Sequence, residues 1–177
     1  MTTLAMLPPP LERLFDRIDA AEPADAYLGA LLDIWRARRL RRFLPTRAAL
    51  AGAAPDPVAG HSFSFVRSRA PTDDWILVEA GEAARSILGP MVGDRRLTDM
   101  SSRRLAVHLR RLFDFVRETA EPVAASFSER GISFSDNRFE VMVAPLASDG
   151  RRVDAVFGGI VARPITRAAD RGRETTR

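Results

Sequence analysis

Two histidines, His61 and His108, and a run of arginines between Arg36 and Arg47 are the residues of this chain best suited to chemistry. The histidines stand 47 positions apart and cysteine is absent. The chain therefore offers no zinc or iron–sulfur ligand spacing, no thiolate nucleophile and no disulfide. Asp73-Asp74 begins a turn, and no second acidic cluster accompanies it to share a metal or a proton. Serines occur outside any nucleophile-elbow context. Gly150, Gly158 and Gly159 belong to a turn and a strand, not to a phosphate loop set between strand and helix. These residues predict no catalytic constellation and no metal site, so the chain reads as a binding module and not as an enzyme.

The arginines allow two readings. Arg36, Arg38, Arg39, Arg41, Arg42 and Arg47 close a helical segment, where cations complement the helix dipole and stay solvated. Guanidinium forks also suit planar oxyanions, which makes Arg38, Arg42 and Arg47 candidates for an anion or acidic-partner site. All 27 Lys+Arg residues are arginine, but 23 acidic residues bring the net charge down to +4. Five arginines from Arg163 onward, against Asp170 and Glu174, put +3 of it on the C-terminal tail. A nucleic-acid domain concentrates its charge on a structured face, so nucleic-acid binding through the Arg36–Arg47 cluster and tail is the alternative and not the first reading.

The elements that must position these residues are legible from hydrophobic period. Phe139 to Val161 reads FEVMVAPLASDGRRVDAVFGGIV, two alternating apolar runs around Asp149-Gly150, which predicts a β-hairpin. Both alternating sets are partly apolar, so each face of the hairpin needs cover. Met142, Ala144, Val156 and Ile160 are read as one such face. Pro8-Pro9-Pro10 precedes Leu11, Leu14, Phe15 and Ile18 at i, i+3, i+4, i+7, which predicts an amphipathic first helix. A second helix is expected from an Asp25 cap through Leu28, Leu31, Leu32 and Trp35. Strands are expected at Phe63–Arg67, at Trp75–Glu79 and over Val123 to Glu129. A short helix over 81–89 and a long one over Arg103–Thr119, capped by Ser101 or Ser102 and striped by Leu105, Leu109, Leu112, Phe113 and Val116, lie between them.

At 177 residues, 46% hydrophobic and 28% charged, the chain suits one globular domain with a genuine core. Its start has no secretory signal character, and no apolar run approaches a transmembrane span, so a cytoplasmic location is expected. The expected organisation is an amphipathic helix over 1–23, a domain over 24–163 and a disordered basic tail over 164–177. Strands at both ends of a helical middle indicate an α+β domain.

The element order β-β-α-α-β-β-β resembles a PAS domain, an α+β fold whose five-stranded antiparallel sheet carries its helices on one face, here with additional N-terminal helices. The similarity is greatest to a bacterial family of stand-alone PAS-like proteins common in alphaproteobacteria. It rests on a tryptophan-bearing helix running into an LP-x-R turn, Trp35 through Leu44-Pro45-Thr46-Arg47, and on a PL-x-x-DG turn, Pro145-Leu146-Ala147-Ser148-Asp149-Gly150. The match spans Tyr27 to Val161. It departs from the family at the first strand, where an arginine-rich segment and a Gly-Thr turn are replaced by FSFVRSRAPTDDWILVEAG.

The resemblance implies a non-enzymatic sensory module in signal transduction that acts through protein–protein interaction and is tuned by a small ligand. A ligand between sheet and long helix would meet Leu105, His108, Leu109, Leu112, Phe139, Val141 and Phe157. Haem bound through His108 is the cofactor the family admits, whereas light-oxygen-voltage flavin chemistry needs the cysteine this chain lacks; no cofactor is the leading expectation. Pairing would use Leu11, Leu14, Phe15, Ile18, Met142, Val156 and Ile160, in a homodimer or with a regulator such as a kinase or response regulator.

Overall fold

The computed structural model describes residues 14–19, 22–41, 43–68, 73–90, 95–129 and 136–165. A six-stranded antiparallel sheet runs in the order β1-β4-β5-β6-β2-β3, built from β1 (Arg17–Asp19), β2 (Ser62–Arg67), β3 (Trp75–Ala80), β4 (Val123–Glu129), β5 (Asn137–Leu146) and β6 (Ala155–Pro164). Helices α1 (Ala26–Arg38), α2 (Arg47–Leu50), α3 (Glu82–Leu88) and α4 (Arg103–Thr119) complete the α+β fold. From β2 onward the order is that of the PAS-like reading.

Each face of the sheet is covered by helix. On the inner face α4 lays Leu105, Leu109, Leu112, Phe113 and Val116 against Phe63, Phe65, Trp75, Val141 and Phe127 in one buried cluster. Ser102 caps α4 by accepting the Leu105 N–H (3.1 Å), the role its hydroxyl fills at a helix start. On the outer face α1 buries Leu28, Leu31, Leu32 and Trp35 against Met142, Ala144, Leu146 and Phe157 in a second cluster. Asp25 caps α1, accepting from Tyr27 and Leu28 N–H, and ion-pairs with Arg163 of β6. Glu140 of β5 accepts the Ala24 and Asp25 N–H groups. The start of α1 is thus pinned to two strands by two carboxylates.

Gly158 lets the sheet close on the inner face, since a Cβ there would stand 2.3 Å from the Met142 carbonyl oxygen and 2.7 Å from the Phe63 ring. A backbone oxygen cannot give way, so Gly158→Ala is expected to cost about 1–3 kcal/mol through overpacking, read as a lowered denaturant midpoint.

Three expectations change. The hairpin loop, 147–154, holds an even number of residues, so odd positions of β5 face even positions of β6: Val141 pairs with Ile160 and Pro145 with Val156. Val156 and Ile160 therefore lie under α4 while Met142 lies under α1, because a shift of one residue turns every side chain to the other face. By the same parity Phe157 leaves the α4 side, where it was expected to line a pocket with Phe139 and Val141, and packs under α1. Finally, residues 14–16 are irregular and Arg17–Asp19 form an edge strand on β4, so this part of the expected first helix is extended. Edge pairing and burial of Phe15 in the inner cluster outweigh the helical spacing. Leu11, with the rest of 1–13, and the tail beyond 165 lie outside the described residues.

Candidate functional site

The two segments that carried the resemblance meet in space. Leu44 N–H donates to the Gly150 carbonyl oxygen (2.9 Å) and Ala147 N–H to the Pro45 carbonyl oxygen (3.1 Å). Trp35, fully buried, donates its indole N–H to the Pro145 carbonyl oxygen at 2.8 Å. One helix end and one hairpin turn are thereby joined by backbone and indole hydrogen bonds into a single structure.

That structure projects apolar side chains into solvent. After α1 the chain reverses sharply, with Arg41 in the left-handed region (φ 53°) and Phe43 N–H donating to the Leu40 carbonyl oxygen (2.9 Å). Leu40 is 72% exposed and Phe43 51%, although both are large hydrophobic residues. The Arg151 guanidinium lies 5.9 Å from the Phe43 ring centroid, and Gly150, in the left-handed region (φ 73°), lies against the ring, where a Cβ would make a tight 3.2 Å contact. Arg41, Arg151 and Arg152 are exposed beside it. The result is an exposed apolar knob with Arg151 against its ring and the exposed Arg41 and Arg152 near it in sequence. An exposed aromatic ring with a guanidinium against it is of the composition enriched at protein interfaces.

Asp149 keeps the second turn in shape, accepting the Arg151 and Arg152 N–H groups at 2.8 Å each. The Arg152 and then the Arg151 backbone bond hold its carboxyl below the usual carboxylate range. A lowered folded-state value means the stabilisation is present above the unfolded carboxylate value and lost as pH falls through the lowered one. The Arg151 and Arg152 amides should stay protected from hydrogen exchange through mild acid and lose protection only below the ordinary aspartate range.

The arginines expected to gather on an anion do not all do so. Arg38 donates its Nε–H to the Ala49 carbonyl oxygen (2.9 Å). Arg39 makes a bidentate pair with Glu121 at 2.9 Å and lies over Trp35, while Arg36 pairs with Asp33. Arg47 is exposed on α2, at the rim of a different cleft. Arg42 lies outside the described residues. Local pairing has thus drawn individual guanidinium groups away from a common target.

His108 is committed elsewhere. Its Nδ1 stands 2.7 Å from the Arg104 carbonyl oxygen and its Nε2 2.9 Å from that of Leu14, and the ring stacks on Phe127 at 4.0 Å. Both ring nitrogens stand within hydrogen-bonding distance of carbonyl oxygens, so neither is turned to an open ligand position, and His108 serves to hold the N-terminal segment on α4. The neighbouring space under α4 is filled by side chains. Phe63, Phe65, Trp75 and Phe113 pack with ring centroids 5.0–6.0 Å apart, and Leu105, Leu109, Leu112 and Val141 are buried with them. Among the described residues no group of three or more His, Asp or Glu is placed to hold a metal ion, and no helix is long and apolar enough to cross a membrane.

The residues proposed for pairing are largely consumed by the fold. Phe15, Met142, Val156 and Ile160 are buried, and Leu14 and Ile18 pack against the inner cluster. A dimer built on them would require the chain to give up its own core. Leu40, Phe43 and Arg151 were not singled out in the sequence. The available signal was two large apolar residues set among arginines past the end of a helix, in RARRLRRF.

No protein-family model matches the chain, and no curated protein matches it. Among solved structures it is similar to an RNA-binding light-oxygen-voltage receptor, at 18% identity over 63% of this chain, with a TM-score of 0.38. The matched region is 33% of that receptor chain's length.

Proposed function

We propose that this chain is a non-catalytic regulatory module that docks a partner protein on the Leu40–Phe43 knob and its arginines. The observation that supports the reading is the knob itself: Leu40 and Phe43 exposed beside Arg41, Arg151 and Arg152, held out by backbone bonds between two distant segments. Exposing apolar surface on a rigid support is unfavourable in water and is a mark of interaction sites. The guanidinium groups call for an acidic rim on the partner, and an aliphatic knob calls for an apolar socket. Leu40 offers nothing for a base to stack on, and Arg151 already lies over Phe43. Both points favour protein over nucleic acid. A regulator such as a kinase or response regulator with an acidic docking surface fits this chemistry.

The test is photocrosslinking in the native host with p-benzoylphenylalanine at position 43, and at exposed Val107 on α4 as the control. A discrete protein adduct at 43, absent at 107 and abolished by Arg151→Glu, is the expected result. Phe43→Glu should weaken binding to the protein so identified by about tenfold or more, as truncating an anchor does, with the thermal midpoint little changed because the side chain is exposed. Adducts with RNA at position 43, or equal adducts at 43 and 107, would overturn the reading.

A further inference from the structure

We propose that His108 is a pH-sensitive latch: as an imidazolium it ties residues 14–19 to α4, and on losing its proton it loosens them. This goes beyond the docking surface and uses a different part of the molecule. The ring nitrogens stand 2.7 Å (Nδ1) from the Arg104 carbonyl oxygen and 2.9 Å (Nε2) from that of Leu14. A carbonyl oxygen only accepts, so each contact is a hydrogen bond only when that nitrogen carries a proton. A neutral imidazole has one N–H and one lone pair, whereas the imidazolium has two N–H groups. The charged ring therefore satisfies both oxygens at once. The neutral ring must set its lone pair against one of them, two electron-rich atoms at hydrogen-bonding distance. The ring also lies flat on Phe127, centroids 4.0 Å apart and planes 5° from parallel, a placement that favours a cation over the aromatic face.

The two oxygens differ in what holds them. Arg104 is fixed in α4, one turn before His108, while Leu14 belongs to an irregular segment, so the Leu14 side gives way. Leu14 leads into Phe15, whose ring meets His108 and Phe127 edge-on at 5.2 and 5.8 Å. Next comes Asp16, whose N–H donates to the Ser126 carbonyl oxygen (2.8 Å). Beyond it β1 covers the edge of β4 with three residue pairs. Release at Leu14 thus loosens β1 and bares backbone groups on the β4 edge, where another strand could pair. Among the described residues no carboxylate hydrogen-bonds to the ring. On the elements packed against it, Asp16 accepts the Ser128 hydroxyl (2.6 Å), Arg17 pairs with Asp19, and Glu129 accepts the Ser102 hydroxyl (3.3 Å). Arg104 and Arg111 of α4 are exposed, and Glu12 and Arg13 lie outside the described residues. Histidine exchanges its proton between roughly pH 5 and 8. Below that interval both bonds are present, and as pH rises through it one is lost, so the segment is tight in mild acid and loose in mild base.

The experiment follows amide hydrogen exchange of the full chain at about pH 5.5 and about pH 8, on either side of the histidine range. Each rate is divided by the intrinsic rate at that pH, and nitrogen NMR of the histidine rings counts their protons. Protection of the Asp16 amide is expected to fall about tenfold from the lower pH to the higher, the loss of one charge-assisted hydrogen bond. Over the same interval the His108 ring should pass from two N–H groups to one. His61→Gln removes the other histidine and should leave the change intact. His108→Gln, uncharged at both pH values, should abolish it. Equal protection of Asp16 at the two pH values, the same fall in His108→Gln, or a His108 ring with a single N–H at about pH 5.5 would each overturn the proposal. The first and last are read on the unaltered chain and need no variant to fold. Crosslinking at position 43 is read independently, so the two proposals can fail separately.

Discussion

Trp35→Ala is expected to lower stability by about 3–5 kcal/mol, the range for removing a fully buried large aromatic. Trp35 is buried among Leu31, Leu32, Leu44 and Leu146 on the outer face, and its ring holds the end of α1 against β5 through the Pro145 carbonyl oxygen (2.8 Å). Two losses combine: the packing of the indole, and the stranding of a buried carbonyl acceptor. Trp35→Phe separates them. It keeps most of the ring and removes the donor, so it should cost about 1–3 kcal/mol, the penalty for an unsatisfied buried polar group. Urea unfolding measures both, as a lower midpoint at an unchanged slope. A larger consequence follows for function. The knob at Leu40 and Phe43 begins where α1 ends, so a variant that loosens this anchor should also lose the position-43 crosslink while position 107 is unaffected.

The second large effect is at Asp74, a buried carboxylate at the entry to β3. One oxygen accepts the Trp75 N–H (2.8 Å) and lies 3.2 Å from Arg110 Nη1 on α4. The other accepts the Thr98 hydroxyl at 2.6 Å. Arg110 Nη2 also donates to the Asp73 carbonyl oxygen (2.6 Å). A single side chain therefore ties β3 to the 3-10 turn Leu97–Asp99 and to α4. Asp74→Ala leaves a backbone N–H and a hydroxyl without this acceptor and takes one partner from the Arg110 guanidinium, which keeps the Asp73 carbonyl oxygen and Asp114. Removing one partner of a fully buried pair costs about 3–5 kcal/mol; because Arg110 retains partial solvent access, about 2–4 kcal/mol is expected. Asp74→Asn keeps one acceptor oxygen and should lose less. Asp74→Ala and Arg110→Ala combined should destabilise by less than the sum of the two, with a coupling of at least about 0.5 kcal/mol, as contacting residues in one network do.

From α1 onward the order and type of the main elements were legible from hydrophobic period, because burial on one side of a helix or strand writes its repeat into the chain. Asp25 and Ser102 announced their helices, since a cap is a local interaction between a side chain and the next turn. So did the Asp149-Gly150 turn, where Gly150 takes the left-handed φ of 73° that glycine accepts without cost. The need for cover on both faces of the last hairpin was legible too, and α1 and α4 supply it.

What the tertiary structure alone decided is whatever depends on partners distant in sequence. The parity of the 147–154 loop sorted Val156, Phe157 and Ile160 between the two faces, and alternation within each strand is silent on that sorting. Leu14, Phe15 and Ile18 have helical spacing, yet the open edge of β4 and a place in the inner core drew them into an irregular segment and a strand. The arginine cluster was visible as composition, but Glu121, 82 residues from Arg39, and the Ala49 carbonyl oxygen beside Arg38 determine which guanidinium groups remain available. The knob follows the same rule: Leu40 and Phe43 are exposed where the 145–150 turn is bonded to the chain beside them. Local periodicity records which side of an element is buried, whereas a site is a convergence of elements, and convergence is fixed by long-range pairing and packing.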